Sequence, residues 1–221
     1  TSAGFTIVTT TAADSNTYRV VVKNSVGEAG SRTAKLFVLS RPAVIEEPKD
    51  IAFLTGRTGN IYAKVGGSKP LKFEWFRNGA SLGTTTSNKW TLRKMNATDH
   101  DGTYSVKVTN PVGEITSPDF TVSVLEPVKV TGHPVHEGII SGQVGSLTVT
   151  ATGGGTLAYQ WIKYDSKTRK WLDIDGAISA TLDIPSMSAN DAGKYKCRVS
   201  NGASTDLSKE ARVSQILPPT I

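Results

Sequence analysis

Apolar and polar side chains alternate along short stretches of the chain, and one arrangement of them occurs three times. A period of two places successive side chains on opposite faces of an extended backbone. Each stretch therefore predicts a β-strand with one buried face and one solvated face. The three stretches are Phe5, Ile7 and Thr10; Trp90, Leu92 and Met95; and Leu182, Ile184 and Met187.

A short phrase that ends in tyrosine follows each of these stretches. An aspartate precedes Tyr18, Tyr104 and Tyr195 by four or five residues, and the tyrosines are 86 and 91 residues apart. That spacing is typical of whole domains, since solenoid repeats run about 20–50 residues. After each tyrosine, an alternating strand leads to an Asn- or Gly-containing turn and a return strand that ends near a proline. The predicted return strands are Thr33–Leu39, Phe120–Leu125 and Ala211–Leu217.

The second and third copies share an earlier half that is missing from the first. Trp75 stands twelve residues after Ala63, and Trp161 stands twelve residues after Val149. The distance from tryptophan to tyrosine is 29 residues in the second copy and 34 in the third. We place the five additional residues in a hairpin at Lys163–Lys170.

A tryptophan on the third strand and a tyrosine before the sixth resemble the immunoglobulin fold, and the pattern is most similar to I-set domains. In that family two cysteines join the sheets. The resemblance implies that Ala63 with Val106, and Val149 with Cys197, occupy their positions, whereas Val20 has no visible partner. Cys197 is the only cysteine, which excludes an intrachain disulfide, and we expect it to act as a small buried hydrophobe.

The expected fold is all-β, a tandem of immunoglobulin-like β-sandwiches without disulfides arranged as an elongated rod. Residues 41–125 and 126–217 form two complete domains, and 218–221 begin a linker. Residues 1–40 supply only the E, F and G strands of another domain. Three strands cannot close a core, so either upstream sequence or another segment completes the domain, and we favour earlier strands that precede them in a longer chain. The predicted structural core contains Trp75, Tyr104, Trp161, Tyr195 and Cys197.

Composition narrows the class of protein further. The chain is 38% hydrophobic and 20% charged, and no apolar stretch approaches the roughly 20 residues that cross a bilayer. The net charge of +6 is spread as +2, +3 and +1 over residues 1–40, 41–125 and 126–221. Nucleic-acid-binding domains concentrate Lys and Arg on one face or helix. We therefore predict a monomer with no nucleic-acid partner and no membrane contact, and the first residues lack the features of a signal peptide.

No arrangement of residues in the sequence indicates catalysis, so we predict a protein that is not an enzyme and has no cofactor. His133 and His136 fall where the first strand of the last domain is expected, and residues three apart on a strand point to opposite faces. A metal site there is therefore disfavoured. His100 is expected to be an exposed turn residue. The glycine-rich stretches at 66–69 and 153–155 match no phosphate loop and are predicted to be turns.

The predicted hairpin of the last domain is the most distinctive surface feature. Residues 163–171 contain four basic groups and two aromatic rings. Such a tip can contact phosphate-rich or sugar-bearing surfaces by cation–π and hydrogen-bond interactions. The alternative is that its rings cover the edge of the core while its charges keep an exposed hairpin soluble. The candidate partner contacts are Tyr164, Lys167, Arg169 and Lys170.

The segments 148–155, 159–161 and 191–195 are similar to the prokaryotic and phage branch of the family. Disulfide-free tandem copies rich in Thr and Ser resemble the outer-capsid decoration proteins of T-even-type phages. This resemblance implies a display or adhesion arm on the virion surface, made in the bacterial cytoplasm. It implies weak binding to the bacterial host surface, with other proteins or bacterial surface glycans as partners, and capsid attachment through a region outside this chain.

Two alternatives to the phage arm remain open at this stage. The first is a muscle-type structural array in the cytoplasm of the sarcomere, which also uses bridge-free I-set domains. The second is an accessory binding module of a secreted bacterial enzyme, working outside the cell.

Overall fold

The computed structural model of the chain describes residues 4–219 and is built almost entirely from short strands. Its only helical elements in that range are a 3-10 turn at Ala12–Asp14 and a single-turn helix, α1, at Ala97–His100. Within 4–219, no helix has the length and apolar character needed to span a membrane. The predicted all-β class is confirmed, with two immunoglobulin-like sandwiches and no disulfide.

The first segment, residues 4–40, forms two small two-stranded sheets, β1 with β4 and β2 with β3. The strand expected over Phe5, Ile7 and Thr10 does not form, and residues 4–11 contain no strand. In both later copies the equivalent strand pairs with a strand from the earlier half of the domain, and no such partner strand is found for residues 4–11 in the described part of the chain. Its strands are β1 (Thr17–Tyr18), β2 (Val21–Lys23), β3 (Glu28–Gly30) and β4 (Ala34–Lys35).

The middle segment forms a six-stranded sheet in the order β10-β9-β12-β14-β6, with β13 pairing β12. Two smaller pairs, β11 with β7 and β5 with β8, supply the other strands. β14 runs parallel to β6, whereas β9, β10, β12 and β13 pair antiparallel. The strands are β5 (Ala43–Glu46), β6 (Ile51–Leu54), β7 (Gly59–Tyr62), β8 (Lys64–Gly66), β9 (Lys72–Arg77), β10 (Ala80–Thr85), β11 (Lys89–Leu92), β12 (Gly102–Asn110), β13 (Gly113–Thr116) and β14 (Phe120–Leu125).

The last segment repeats this topology. Its six-stranded sheet has the order β16-β24-β22-β19-β20 with β23 pairing β22, and β16 is parallel to β24. β15 with β18 and β17 with β21 form the smaller pairs. The strands are β15 (Lys129–Gly132), β16 (Glu137–Ile140), β17 (Gly145–Thr148), β18 (Thr150–Thr152), β19 (Ala158–Asp165), β20 (Lys170–Asp173), β21 (Thr181–Ile184), β22 (Gly193–Ser200), β23 (Thr205–Leu207) and β24 (Ala211–Ile216).

The cores contain the residues that the alternation pattern selects. Trp75, Tyr104, Trp161, Tyr195 and Cys197 are all buried, and Trp75, Trp161 and Cys197 have no exposed surface. Val149 and Cys197 lie in one buried cluster with Trp161, so apolar side chains fill the place of the bridge. Such burial stabilises by about 25 cal/mol per Å² of apolar surface removed from water.

The two indoles differ in one respect. Trp161 Nε1 donates to the carbonyl of Ser179 at 2.9 Å, whereas Trp75 Nε1 is buried without a hydrogen-bond acceptor in the described range. The hydroxyls of Tyr18 and Tyr195 each donate to a backbone carbonyl four residues earlier in the chain. Tyr18 donates to the carbonyl of Asp14, and Tyr195 donates to that of Asp191.

Spatial proximity groups the described residues into two compact units, one of 4–49, 61–90 and 103–120 and the other of 50–60, 91–102 and 121–219. These units do not coincide with the repeats of the tyrosine phrase, whose second and third copies each have their own complete set of paired strands. Within the described residues, backbone hydrogen bonds hold the strands of each of these two copies to one another.

Candidate contact surface on the last domain

The hairpin between β19 and β20 has a turn that is fixed by one carboxylate. Asp165 accepts hydrogen bonds from the backbone N–H groups of Lys167, at 3.0 Å, and Thr168, and from the Thr168 hydroxyl at 2.6 Å. These bonds hold the pKa of the Asp165 carboxyl below its ordinary value, and the bond from the Thr168 hydroxyl contributes most to that shift. Aspartate commonly fixes turns in this way. The turn therefore presents its basic side chains from a defined backbone.

Aromatic rings and lysines stack on the outer face beside this turn. Tyr164 and Trp171 are directly opposite each other on β19 and β20, with ring centroids 5.5 Å apart in an edge-to-face arrangement. Lys196 Nζ lies 4.6 Å from the centroid of the Trp171 ring, and Lys194 Nζ lies 5.8 Å from that of Tyr164. Cation–π contacts of this kind are worth about 0.5–1 kcal/mol at exposed sites.

Some cations of this face are neutralised by carboxylates. Arg198 forms a bidentate pair with Asp173, with both distances 2.9 Å, and Lys194 pairs with Glu210 at 3.1 Å. No ion pair is found within the described residues for Lys196 on this face, or for Lys167, Arg169 and Lys170 at the adjoining turn.

We use the name hairpin surface for the group formed by Tyr164, Lys167, Arg169, Lys170, Trp171, Lys194 and Lys196. The four residues predicted as partner contacts all belong to it. Lys167, Arg169 and Lys170 are exposed at the turn, while Tyr164 is half-buried beside Lys194. Arg169 has a φ of 56°, a left-handed conformation that is uncommon for residues other than glycine.

The neighbouring strand β22 also contributes to this surface, although the local sequence does not indicate it. Tyr195, Cys197 and Val199 point into the core, so the residues between them point outward. That alternation places Lys194, Lys196 and Arg198 on the same outer face as Tyr164 and Trp171. Their position beside the hairpin strand depends on the pairing of β19 with β22, in which Ile162 lies opposite Lys196, and local sequence does not show that pairing.

One lysine on the inner side of the hairpin strand behaves differently. Burial lowers the pKa of Lys163, while the nearby Asp191 carboxylate opposes that shift. Lys163 Nζ lies 5.2 Å from the centroid of the Tyr195 ring and donates to the carbonyl of Asn190. Burial also raises the pKa of Tyr195 to about 12. These two groups support the corner of the domain and are not part of the hairpin surface.

The histidines lie elsewhere, and two expectations about them are wrong. His133 and His136 stand between β15 and β16, not on a strand, because Pro134 interrupts sheet pairing. Their Nδ1 atoms accept backbone N–H bonds from Lys209, at 3.2 Å, and from Arg212, at 2.7 Å, so both rings face one stretch of chain.

His100, expected to be exposed, is half-buried at the end of α1. Across residues 4–219, no group of three or more His, Cys, Asp or Glu side chains could hold a metal ion.

Two protein-family models match the chain. Residues 42–124 match the immunoglobulin I-set domain, and residues 127–201 match a second immunoglobulin domain model. The chain therefore carries two immunoglobulin domains in tandem. The family matches are to immunoglobulin domains only, and none is to a catalytic domain.

Several curated animal proteins are similar to the chain over most of its length. Protein sax-3 of Caenorhabditis elegans is 27% identical over 210 residues, which are 90% of this chain and 16% of that protein. Interference hedgehog of Drosophila ananassae is 31% identical over 163 residues, 66% of this chain and 18% of that protein. The muscle M-line assembly protein unc-89 of Caenorhabditis elegans is 25% identical over 222 residues, 91% of this chain and 3% of that protein. The chain thus spans less than a fifth of each of these relatives.

Solved structures agree on the fold. The extracellular domains 3–5 of Drosophila OTK have a TM-score of 0.59 at 19% identity, covering 93% of this chain and 72% of that one. Immunoglobulin domains 1–5 of Sidekick-1 have a TM-score of 0.50 at 20% identity, covering 94% of this chain and 48% of that one. At these identities the likeness shows the fold alone.

The expected similarity to the phage and prokaryotic branch is not supported, because the relatives found are animal immunoglobulin proteins. Besides the segments 148–155, 159–161 and 191–195, the features behind that expectation are a missing bridge and strands rich in Thr and Ser. In any branch, a sandwich without the bridge packs apolar side chains in its place, and Thr suits strand positions. These two features therefore do not distinguish one branch of the family from another.

Proposed function

We propose that this chain is a non-enzymatic recognition arm whose hairpin surface binds an acidic protein partner. The observation that carries the proposal is a turn, fixed by Asp165, that presents Lys167, Arg169 and Lys170, none of which forms an ion pair with another described residue. A preorganised turn loses little conformational freedom on binding, which favours affinity. Carboxylates on a partner would complete the ion pairs that the domain itself leaves open.

The neighbouring rings favour a protein over a simple counterion. Tyr164 and Trp171 provide a half-buried apolar area directly beside the cations. Tyr, Trp and Arg are the residues most enriched at the energetic centres of protein interfaces. A partner that covers the rings would also exclude water from the surrounding charges and strengthen their interactions with carboxylates.

Binding to an array of protein ectodomains and glycans tests this proposal. The variant carries Lys167→Ala, Arg169→Ala and Lys170→Ala. The matched control carries Lys129→Ala, Lys209→Ala and Arg212→Ala, which removes the same charge from exposed positions of the same domain. We expect the hairpin variant to lose at least about tenfold in affinity for an acidic protein, since buried charge pairs are worth about 1.5 kcal/mol or more. The control should retain affinity.

Equal losses in the two variants would show that net charge alone drives binding. Binding confined to glycans would contradict a protein partner. An unchanged affinity of the hairpin variant for every protein bound would exclude the hairpin surface as the contact.

A structural array of the muscle type is a second candidate. It is supported by the absence of a disulfide in both complete sandwiches and by the similarity to the M-line protein. Single-molecule stretching tests it, because a spacer under load should unfold only at high force. The location of the protein stays a prediction that depends on which function holds. A structural array is expected in the sarcomere, and a recognition arm is expected outside the cell.

A further inference from the structure

The turn between β11 and β12 contains a half-buried asparagine, Asn96, which caps the single-turn helix α1. Its Oδ1 accepts the backbone N–H of Asp99 at 2.8 Å, and its Nδ2 donates to the Asp99 carboxylate at 2.7 Å. Asparagine is one of the residues that most often cap helices in this way. These two bonds use the amide oxygen and one of the two amide hydrogens of Asn96.

The same corner of the other two copies is closed by a hydroxyl in place of an amide. Thr11 Oγ1 donates to the Asp14 carboxylate at 2.9 Å, and Ser188 Oγ donates to the Asp191 carboxylate. In both copies the backbone N–H of the same residue donates to that carboxylate as well. A serine or threonine therefore closes this corner, and the geometry of the turn does not require asparagine at position 96.

The second copy also differs from the others two residues further along the chain. Thr98 stands where the first copy has Ala13 and the third copy has Asn190. Asn96-Ala97-Thr98 is the only triplet of Asn, any residue but Pro, and Ser or Thr in the sequence. Such a triplet is the acceptor sequence for N-linked glycosylation. Both residues that it needs thus occur in a turn that the other copies form without either of them.

The surroundings of Asn96 have room for a bulky group. Residues 93–94 and 97–99 on either side of the corner are exposed. N-linked glycans are bulky groups that lie on protein surfaces. A sugar on Nδ2 replaces one amide hydrogen and leaves the other to donate to Asp99, while Oδ1 continues to accept the backbone N–H. The folded turn can therefore carry a glycan and keep both of its hydrogen bonds.

We propose that Asn96 is the acceptor of an N-linked glycan. The donor is a lipid diphosphate-linked oligosaccharide of the secretory route. A bond forms between Asn96 Nδ2 and C1 of the first sugar, the bond from that carbon to the diphosphate oxygen breaks, Nδ2 loses a proton, and the lipid diphosphate leaves. The proposal rests on the proposed function in one respect, because a recognition arm outside the cell meets this donor and a cytoplasmic array does not.

Secretion of the chain from animal cells, directed by a fused signal peptide, tests the acceptor. Peptide mapping by mass spectrometry locates the glycan before and after treatment with peptide-N-glycosidase F, which releases the glycan and leaves aspartate in place of the modified asparagine. We expect the glycan on the peptide that contains Asn96. Asn190 is exposed in the same turn of the third copy and is followed two residues later by Ala192, so it serves as the internal control and should stay unmodified.

Three substitutions separate the acceptor from the turn. Thr98→Ser keeps the triplet and should retain the glycan, whereas Thr98→Ala should lose it. Asn96→Ser reproduces the corner formed by Ser188 and should also lose the glycan. Without a glycan, this variant should melt within about two degrees of the wild-type chain, because Asn and Ser cap helices about equally well. A loss of several degrees would show that the turn needs the amide and would remove the structural reason for the proposal.

The protein isolated from its natural source provides the second arm, and the same glycopeptide is expected there. An unmodified Asn96 after secretion, or a glycan that persists in Thr98→Ala, would overturn the assignment of the acceptor. A glycan on the secreted chain but not on the natural protein would overturn the proposal and favour the muscle-type array. The hairpin binding experiment can be repeated with Asn96→Ser, so failure of the proposed contact surface and failure of the glycan proposal are distinguishable.

Discussion

Ser208 Oγ accepts the backbone N–H of Cys197 at 2.9 Å and donates to the carbonyl of Lys209 at 2.8 Å. The serine lies between β23 and β24, which both pair with β22. Its side chain therefore supplies a hydrogen bond to β22 at the point where the backbone pairing of these two strands is interrupted. Ser117 does the same for Val106, and Ser31 does it for Val20, always eleven residues further on. A single side chain thus completes the backbone pairing at the position where the family carries its second cysteine.

Removing this hydroxyl should destabilise the last domain. We expect Ser208→Ala to lower the free energy of unfolding by about 1–3 kcal/mol, because the buried N–H of Cys197 then lacks an acceptor. Ser146→Ala, at an exposed position of β17, is the matched control and should change it by less than about 0.5 kcal/mol. Urea unfolding measures both, and equal effects would contradict a specific role for the bond.

The thiol of Cys197 should be unreactive in the folded protein. It is fully buried, and burial raises its pKa to about 11, so little thiolate is present at neutral pH. We expect alkylation by iodoacetamide at about pH 8 to proceed only as fast as the domain unfolds. Labelling followed by mass spectrometry, with and without urea, checks this. Rapid labelling of the native chain would show that the thiol is accessible.

Asp206 should make the last domain sensitive to acid. Its carboxylate accepts the backbone N–H of Val130 at 2.8 Å, and this bond is the main cause of its lowered pKa. A pKa that is lower in the folded state gives stabilisation that is complete above the unfolded value and is lost as the pH falls through the folded one. The stability difference between wild type and Asp206→Asn should therefore shrink as the pH falls from about 6 to below about 3. Thermal unfolding across that range measures it, and a constant difference would refute the role of the charge.

The hairpin cations should contribute to binding and not to stability. Replacing Lys167, Arg169 and Lys170 together by alanine should leave the melting temperature within a degree or two, because exposed charges contribute about 0–1 kcal/mol. Calorimetry of the variant provides the measurement. A loss of several degrees would mean that these side chains support the fold. A binding defect of the variant could then not be assigned to lost contacts with the partner.

Much of the fold could be predicted from local sequence. The strand Phe120–Leu125 forms with the bounds expected from alternation, and the buried tryptophans and tyrosines lie where the spacing places them. The stretch around Phe5 has the same alternation, yet it forms no strand, and no strand pairs with it among the described residues. Alternation gives the face that a strand would bury, but it does not supply the strand beside it.

Less of the candidate surface could be predicted. The hairpin and its cations are evident from the insertion, since five extra residues between Trp161 and Tyr195 require a longer connection. The contributions of Lys194 and Lys196 depend on which strand lies beside the hairpin, a pairing of residues more than 30 positions apart. The turn bonds of Asp165 and the hydrogen bonds of His133 and His136 likewise depend on backbone geometry that spacing does not give.

Unfolding of Trp161→Ala shows whether apolar contacts around this indole close a sandwich that lacks a bridge. Trp161 is fully buried in the cluster with Val149 and Cys197, so we expect a loss of about 3–5 kcal/mol. Trp161→Phe keeps a ring but loses the bond to Ser179, and it should lie between this variant and wild type. Urea unfolding that gives this order supports the account. A free energy of unfolding for Trp161→Ala within about 0.5 kcal/mol of wild type would contradict it.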